Sequence, residues 1–435
     1  MKKVLCALLL LIALTVGAAA QSAPVTSQSV SSASARTDAT SLRQEAFDIV
    51  WRTVKEKHFD PTFGGVDWDA MREKYQPKVA AAKSDGEFYG LLQQMLEELG
   101  QSHFAIIPPE AVVEDRQAEP ATGTAGIDLK LIDNLAVITR IEPGSGAARA
   151  GLRMGFVIKQ VGETPVEKVI ERFAKSKESL AIVQLRITRS LLARINGRAD
   201  SSVRIVYLDE KDQTREAEVT RTLLTGDIAP GFANFPPQYT DFEARRLEGG
   251  IGYIRFNIFA LPLMEKIRPA IRSMNGAPGI IIDLRGNPGG FGSMSNGMAG
   301  LMTTEQTSLG RMRMRTGYMN FPVYPQKDPF TGKVVILIDG GSASTSEIFA
   351  AGMREIGRAT VVGERSMGAA LPSLFQKLPT GALFQYAFAD FKSPKGSAIE
   401  GRGVTPDVEV KLTRAELLKG RDPQLEAAIV QIRKP

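Results

Sequence analysis

The stretch VVILIDGGSASTSEIFAA, residues 334–351, decides the fold. It opens on an apolar and mostly β-branched run, 334–338, of the kind that forms buried strands. Small residues follow, and apolar side chains then recur at helical spacing from Ile348 to Ile356. The stretch therefore predicts a strand, a tight loop and a helix.

Three serines, at positions 342, 344 and 346, stand where this loop meets the helix. Free N–H groups at a helix start, together with the helix dipole, can stabilise a developing oxyanion, so a serine here could be a nucleophile. The alternative is structural, because Ser344 and Glu347 have the S-x-x-E spacing of a capping box. The stretch alone leaves both interpretations open.

The N-terminus has the pattern of a secretory signal peptide. Residues 1–20 give a basic start, an apolar run and a small-residue end, which predicts cleavage after Ala20. Retention as an anchor is the alternative, but the apolar run is short for a span of roughly 20 residues. We expect export across the inner membrane, a periplasmic location and no stable membrane insertion.

Composition excludes several classes of site. Cys6 is the only cysteine and lies within the signal, so the mature chain can have no disulfide, cysteine nucleophile or cysteine-ligated zinc. The net charge of +6 falls to +4 without Lys2 and Lys3, and acids and bases are interspersed. This favours a solvated surface and no nucleic-acid partner.

The 435 residues are too many for one ordinary domain. Residues 21–40 are rich in Ser, Ala and Thr and predict a disordered leader. A helical domain, 41–110, follows, with a first helix capped by Ser41 and a second that starts at Ser84.

Only two histidines are present. His58 lies at a Lys/Glu-rich helix end, which predicts a surface residue. His103 adjoins Ser102 and a strand-like apolar run, where a histidine is commonly structural. If the protein needs an imidazole base, however, His103 is the better candidate.

Residues 120–224 form a β-rich module with a short helix after EPGSGAA. The pattern, and AARAGLRMGFVI above all, resembles a PDZ domain. That resemblance implies a module that binds the C-terminal tail of a peptide as an added strand, with a carboxylate nest near Ala125, Gly126, Ile127 and Asp128. A folded spacer without a ligand is the alternative.

Residues 225–435 alternate strands and helices, which predicts an α/β layer structure. Six glycines fall between 286 and 300, yet no phosphate-loop motif is present. Glu400 stands in a Gly-rich turn near the end, a setting in which a glutamate is usually solvated.

Four motifs occur in one order: DLRGNPGG at 283–290, GSASTSEIFAAGM at 341–353, VGERSMG at 362–368 and SPKGSAIEGRGVTPDVEV at 393–410. Together with the order of the domains, they resemble the carboxyl-terminal processing proteases and the tricorn-type core proteases. The resemblance implies a multidomain α/β protein with a small N-terminal helical domain, a PDZ-like domain and a ClpP/crotonase-like core. It also implies that Ser344 is the nucleophile.

One position departs from the Ser/Lys branch of this family, which has a lysine about 25 residues after the nucleophile. Ala369 stands there, and Lys377 would serve only after a rearrangement of the loop. The tricorn-like branch instead uses a tetrad of Ser, His, Ser and Glu. By resemblance, the tetrad here is Ser344, His103, Ser102 and Glu400.

The resemblance further places the oxyanion donors at Thr345 and at Gly289 or Gly290, and it implies neither a metal nor an organic cofactor. We therefore predict a secreted serine endopeptidase that cleaves polypeptides. A non-catalytic binding protein on the same fold, for an apolar ligand or a peptide, is the alternative. The sequence leaves the oligomeric state open.

Overall fold

The computed structural model describes residues 28–109, 123–174, 176, 179–224, 226–231 and 237–435. The predicted signal peptide lies outside the described residues. No helix among those described is both long and apolar enough to cross a bilayer.

The N-terminal unit is a group of helices completed by a short strand. Its elements are α1 Gln28–Lys57, α2 Trp68–Ala80, α3 Asp85–Glu97 and β1 Ala105–Ile107. As predicted, Ser84 caps α3, since its hydroxyl accepts from the Glu87 N–H at 3.2 Å. Aromatic and aliphatic residues on the facing sides of α1 and α3, such as Phe47 and Leu92, are fully buried.

The structure differs from the sequence prediction at the start of α1. The helix begins at Gln28, so residues 28–40 are not the disordered leader that their composition indicates, and Ser41 is not its N-cap. Extending an existing helix avoids the cost of nucleation, and the Ala, Arg and Gln residues of this segment favour helix.

The second difference concerns His58. We predicted a surface residue, but its side chain is fully buried between the rings of Phe59 and Phe104. Both ring nitrogens have partners: Nδ1 lies 3.0 Å from the Asp60 N–H, and Nε2 lies 2.9 Å from Gln101 Oε1. Phe104 and Gln101 come from a distant part of the chain, and the local Lys/Glu pattern could not show this.

The middle unit, which we call the β-rich module, runs from Gly123 to Leu223. Its elements are β2 Gly123–Thr124, β3 Ile127–Ile132, β4 Leu135–Ile141, α4 Gly146–Arg149, β5 Val157–Val161, β6 Thr164–Pro165, α5 Val166–Phe173, α6 Leu180–Ile195, β7 Ser202–Leu208, β8 Thr214–Thr220 and β9 Thr222–Leu223. The main sheet has the order β3-β4-β5-β7-β8, so β3 is an edge strand.

The C-terminal unit is an α/β core. Its elements are β10 Asp227–Ala229, β11 Gln238–Thr240, β12 Phe242–Arg246, β13 Gly252–Phe256, α7 Met264–Ser273, β14 Gly279–Asp283, α8 Gly292–Gly300, β15 Thr307–Met314, β16 Gly317–Val323, β17 Lys333–Ile338, α9 Thr345–Glu355, β18 Thr360–Gly363, β19 Ser373–Lys377, β20 Leu383–Ala387, β21 Ala389–Lys392, β22 Val408–Glu409, α10 Arg414–Leu418 and α11 Pro423–Arg433.

Its central sheet has the order β12-β13-β14-β17-β18-β22 and is parallel from β13 onward. Alternate residues of β17 pack on opposite faces. Val334, Ile336 and Ile338 face the helices α7 to α9, whereas Val335 and Leu337 face α11. Burial on both faces explains the unbroken apolar run of this strand.

The N-terminal unit and the core share one hydrophobic cluster. Leu371, Leu378 and Phe384, from the β19–β20 region, pack among the helices α1 to α3. In addition, β1 pairs antiparallel with β20, with Ala105 opposite Gln385. This pairing brings the segment just before β1, which contains Ser102 and His103, to the core.

Candidate active site

The predicted strand, loop and helix around Ser344 are confirmed as β17, residues 339–344 and α9. Ser344 ends the loop with φ 52° and ψ −120°, a left-handed conformation that is costly for a residue with a side chain. Serine nucleophiles on strand-to-helix turns have such strained backbones. Strain of this kind is typical of functional positions.

The three serines of the loop have different environments. Ser342 and Ser346 are fully buried, and their hydroxyls donate to the carbonyl oxygens of Leu284 and Asn287, at 2.7 and 2.9 Å. Ser344, in contrast, lines a cavity of about 1290 Å³. Ser342 and Ser346 therefore fix the loop, and of the three serines only Ser344 lines the cavity.

The capping interpretation of Ser344 and Glu347 is also partly correct. The Ser344 N–H donates to Glu347 Oε2 at 3.1 Å, and the Glu347 N–H donates to the Ser344 carbonyl oxygen at 2.9 Å. A helix cap and a serine that lines the cavity therefore coexist at the same residue, and the two interpretations are not exclusive.

Ser102, His103 and Glu400 form a hydrogen-bonded chain. The Ser102 hydroxyl lies 2.9 Å from Glu400 Oε2 and 2.7 Å from His103 Nδ1, and the Ser102 N–H donates to Glu400 Oε1 at 2.9 Å. An ionised carboxylate only accepts, so the Ser102 hydroxyl donates to Glu400 and accepts from His103 Nδ1–H. This arrangement leaves His103 Nε2 unprotonated, as a general base requires.

Burial shifts the pKa values of His103 and Glu400. Desolvation lowers the pKa of His103 to about 4, so the imidazole is neutral at neutral pH. Burial raises the pKa of Glu400, while the N–H groups of Ser102 and Ala370 partly oppose that rise. A neutral imidazole beside a hydroxyl can accept its proton.

His103 and Ser344 line the same cavity, although no hydrogen bond joins them within the described residues. They reach it from different units, His103 from the turn before β1 and Ser344 from the start of α9. Catalytic hydrogen bonds are often long in the absence of substrate and tighten when it binds.

The structure distinguishes the two candidate glycines of the oxyanion hole. The Gly289 N–H already donates to Asn287 Oδ1 at 2.9 Å, so Gly289 is not suited to bind an oxyanion. Among the described residues, the N–H groups of Gly290 and Thr345 have no acceptor, and both residues line the cavity. Gly289 instead permits close packing, because a Cβ there would lie 2.7 Å from the Ser344 Cβ.

Residues 250–410 match the model of peptidase family S41, and residues 41–97 match the tricorn protease C1 domain. Residues 250–410 of the chain therefore belong to peptidase family S41. It is a serine-type peptidase, as predicted.

Two curated relatives represent the two branches that this S41 peptidase resembles. A carboxyl-terminal-processing protease from Synechocystis is 25% identical over 391 residues, covering 87% of this chain and 84% of the relative. Tricorn protease homolog 1 from Streptomyces coelicolor is 24% identical over 405 residues, covering 89% of this chain but only 34% of that longer protein.

Solved structures show the same fold. The photosystem II D1 C-terminal processing protease superposes with a TM-score of 0.56 at 23% identity, covering 85% of this chain and 93% of that one. Mature CPAF gives 0.60 at 14% identity, covering 90% and 98%. The S41 peptidase therefore has the mixed α/β, multidomain architecture of these two structures.

In this S41 peptidase, the position at which the Ser/Lys branch has its lysine lies beside Ser344. The Ala369 carbonyl oxygen accepts from the Ser344 N–H at 2.7 Å, and Ala369 lines the cavity. Its methyl group cannot accept a proton. Lys377 lies at the exposed end of β19 and is not among the described residues that line the cavity.

The four residues of the predicted carboxylate nest do not present free N–H groups together. The Ala125 N–H donates to Asn196 Oδ1 at 3.2 Å, and the Gly126 N–H donates to Thr124 Oγ1 at 3.0 Å. Ile127 pairs with β4, and the Asp128 carboxylate binds Arg140 and Arg255. The hydrogen bonds of Ala125 and Gly126 argue against carboxylate binding at this place.

Sequence reasoning missed two residues that organise the site. Glu347 is fully buried and accepts from Ser366 Oγ and from the N–H groups of Gly368 and Ala369, besides that of Ser344. Asn287 is also fully buried and joins the glycine loop to the Ser346 hydroxyl. The S-x-x-E spacing signalled Glu347, but only as a cap.

Proposed function

We propose that this chain is a secreted endopeptidase that cleaves polypeptides with a tetrad of Ser344, His103, Ser102 and Glu400. The observation that carries the proposal is the chain from Glu400 through the Ser102 hydroxyl to His103 Nδ1, which ends in a cavity that Ser344 also lines. These hydrogen bonds fix the tautomer in which His103 Nε2 can take a proton.

Acylation follows from this arrangement. The Ser344 oxygen attacks the peptide carbonyl carbon while its proton passes to His103 Nε2. The resulting imidazolium is stabilised by the Ser102 oxygen at Nδ1–H, and Ser102 in turn by the Glu400 carboxylate. His103 then gives the proton to the leaving amine nitrogen as the C–N bond breaks, which leaves an acyl-enzyme.

Hydrolysis of the acyl-enzyme follows the same steps, with water as the attacking group and the Ser344 oxygen as the leaving group. His103 Nε2 takes a proton from water, the hydroxide oxygen bonds to the acyl carbon, and the Ser344 oxygen leaves with the proton from His103. In both tetrahedral intermediates, the N–H groups of Gly290 and Thr345 are the proposed donors to the oxyanion. Loss of one such donor typically costs on the order of 100- to 1000-fold in rate.

For the β-rich module we propose a PDZ-like role, in which it selects or positions the tails of substrates. Two observations support this. Its edge strand β3 offers a place for an added strand, and its helix α6 contributes residues to the wall of the cavity that contains Ser344. A peptide bound by the module would therefore lie close to the nucleophile.

We also infer that the core is a ClpP/crotonase-like domain and that the chain is exported to the periplasm. The first inference is supported by the parallel strands β13, β14, β17, β18 and β22, which form one sheet with helices on both faces. The signal-like residues 1–20 support the second.

The test is degradation of an unfolded protein such as casein by the purified chain and by three variants. Ser344→Ala and His103→Ala should lose activity, whereas Lys377→Ala should retain it. Activity that survives Ser344→Ala, or that disappears with Lys377→Ala, would overturn the tetrad.

A further inference from the structure

One side of helix α6 faces the cavity that contains Ser344. Ile182, Leu185, Arg186 and Arg189 line the cavity and follow the i, i+3, i+4, i+7 spacing of a single helical stripe. The opposite side of α6, with Ile187, Leu191 and Ile195, is buried in the β-rich module. The module therefore holds two guanidinium groups at the substrate cavity.

The two arginines differ in their partners. Arg186 lies 4.0 Å from the carboxylate of Glu97, on α3 of the N-terminal unit. Arg189 makes no hydrogen bond or ion pair with any residue in the described parts of the chain. Its side chain is accessible to solvent, yet the protein around it and the charge of Arg186 lower its pKa.

The acidic residues that line the cavity already have partners. Glu97 faces Arg186, Glu98 binds Lys74 and the Tyr75 hydroxyl, and Glu400 binds Ser102. A guanidinium in a partly desolvated cavity gains most from a carboxylate, with which it forms two parallel hydrogen bonds. Within the described residues, the protein does not supply that carboxylate.

We propose that Arg189 is a specificity-determining residue that binds a carboxylate of the polypeptide substrate while the scissile bond lies at Ser344. The inference rests on the proposed function and names the chemistry of its substrate. Two sources of carboxylate fit, the C-terminal α-carboxylate of a tail or the side chain of an Asp or Glu residue. The engaged N–H groups of Ala125 and Gly126 make Arg189 the better receptor for either.

The experiment uses one peptide, made in four forms. The first pair has a free or an amidated C-terminus, and the second has Glu or Gln at one internal position beyond the cleavage site. Arg189→Gln should lower kcat/KM about ten- to hundredfold, the effect of a charge-assisted hydrogen-bonded pair, for the form with the recognised carboxylate. The uncharged forms should be unaffected, and Arg189→Lys should restore part of the loss.

The matched control is Arg198→Gln, because Arg198 is exposed on the same module and is not among the described residues that line the cavity. In Arg189→Gln, one pair of peptides should no longer differ in kcat/KM. That pair identifies the source of the carboxylate. An equal change for all four forms, or no preference by the wild-type chain, would overturn the proposal.

Binding is measured separately, so that the outcome does not depend on turnover. The four peptides, labelled for fluorescence anisotropy, are titrated with Ser344→Ala and with Ser344→Ala/Arg189→Gln. The second variant should bind the recognised form about tenfold more weakly, and salt should reduce the difference. If casein and the peptides are not cleaved but this difference appears, the proposed function fails and the carboxylate site stands. Equal binding by both variants would contradict the site.

Discussion

The N–H and the hydroxyl of Ser102 both donate to the carboxylate of Glu400, which lies 298 positions later in the chain. Two hydrogen bonds to the same carboxylate fix the rotation of the serine side chain. Its oxygen is thereby held 2.7 Å from His103 Nδ1. The contact links a turn of the N-terminal unit to the last motif of the core, so the proposed site exists only when both units are assembled.

Glu400→Gln should lower kcat on the order of 100-fold or more while changing KM little. The amide is the same size but carries no charge to stabilise the imidazolium through Ser102. Steady-state kinetics on a peptide substrate measure both constants. The control is Glu409→Gln, since Glu409 is exposed. A fall in KM and kcat alike in both variants would contradict the role of Glu400.

The pH dependence of kcat/KM tests the state of His103. Because desolvation lowers the pKa of His103 to about 4, the free enzyme should hold a neutral base throughout neutral pH. The value of kcat/KM should therefore be constant as the pH falls to the usual histidine pKa of about 6.5. It should fall only at lower pH, where His103 becomes protonated. An acid limb centred at or above that value would show that the imidazole is not desolvated.

Gly289→Ala should lower activity strongly, although the Gly289 N–H is not a proposed oxyanion donor. Gly289 has φ +94°, and a Cβ there would lie 2.7 Å from the Ser344 Cβ and the Thr345 nitrogen. The methyl group would displace Ser344 from the proposed oxyanion donors. Gly292→Ala is the control, because its Cβ would meet Phe321 at an ordinary 3.4 Å. Equal kcat in the two variants would contradict this explanation.

The sequence predicted those features that depend on local pattern or on motifs. The apolar run 334–338 and the helix after it were predicted correctly, since both faces of the strand are buried. The motif at 393–410 named Glu400, which local pattern alone would have left in solvent. The burial of His58 could not be predicted, because Phe104 and Gln101 come to it from another part of the chain.

Contacts between loops could not be predicted from the sequence either. Glu347 carries the signature of a helix cap, and nothing in its neighbourhood shows that Ser366, Gly368 and Ala369 converge on it. The choice between Gly289 and Gly290 depends on the direction of one N–H group, which the Asn287 side chain determines. Such facts require the three-dimensional arrangement of at least two motifs.

Glu347→Gln should reduce both stability and kcat. Burial raises the pKa of Glu347 to about 7, while the Ser366 hydroxyl and three N–H groups oppose that rise. A glutamine offers one acceptor oxygen instead of two and leaves N–H groups unpaired, which typically costs about 1–3 kcal/mol. Thermal denaturation and kinetics together check the result, with the exposed Glu87→Gln as the control. A variant with unchanged kcat would show that Glu347 does not position Ser344.

The Lys130 ammonium, on β3 of the module, pairs with the fully buried carboxylate of Asp339 in the core. Asp339 also accepts from the N–H groups of Gly286 and Gly341, at 2.9 and 2.8 Å, and so holds both loops of the proposed site. Burial alone would raise the pKa of Asp339, but Lys130 and these N–H groups lower it.

Lys130→Met should therefore destabilise the protein by about 3–5 kcal/mol at neutral pH, because it leaves a buried charge without its partner. The depressed pKa of Asp339 contributes stability that is present at neutral pH and lost as the pH falls. In Lys130→Met that contribution is absent, so the difference in thermal midpoint from wild type should be full at neutral pH and shrink as the pH falls to about 4 and below. Lys168→Met, an exposed change on the same module, should show neither effect. A destabilisation that is independent of pH would mean that Lys130 acts through packing alone.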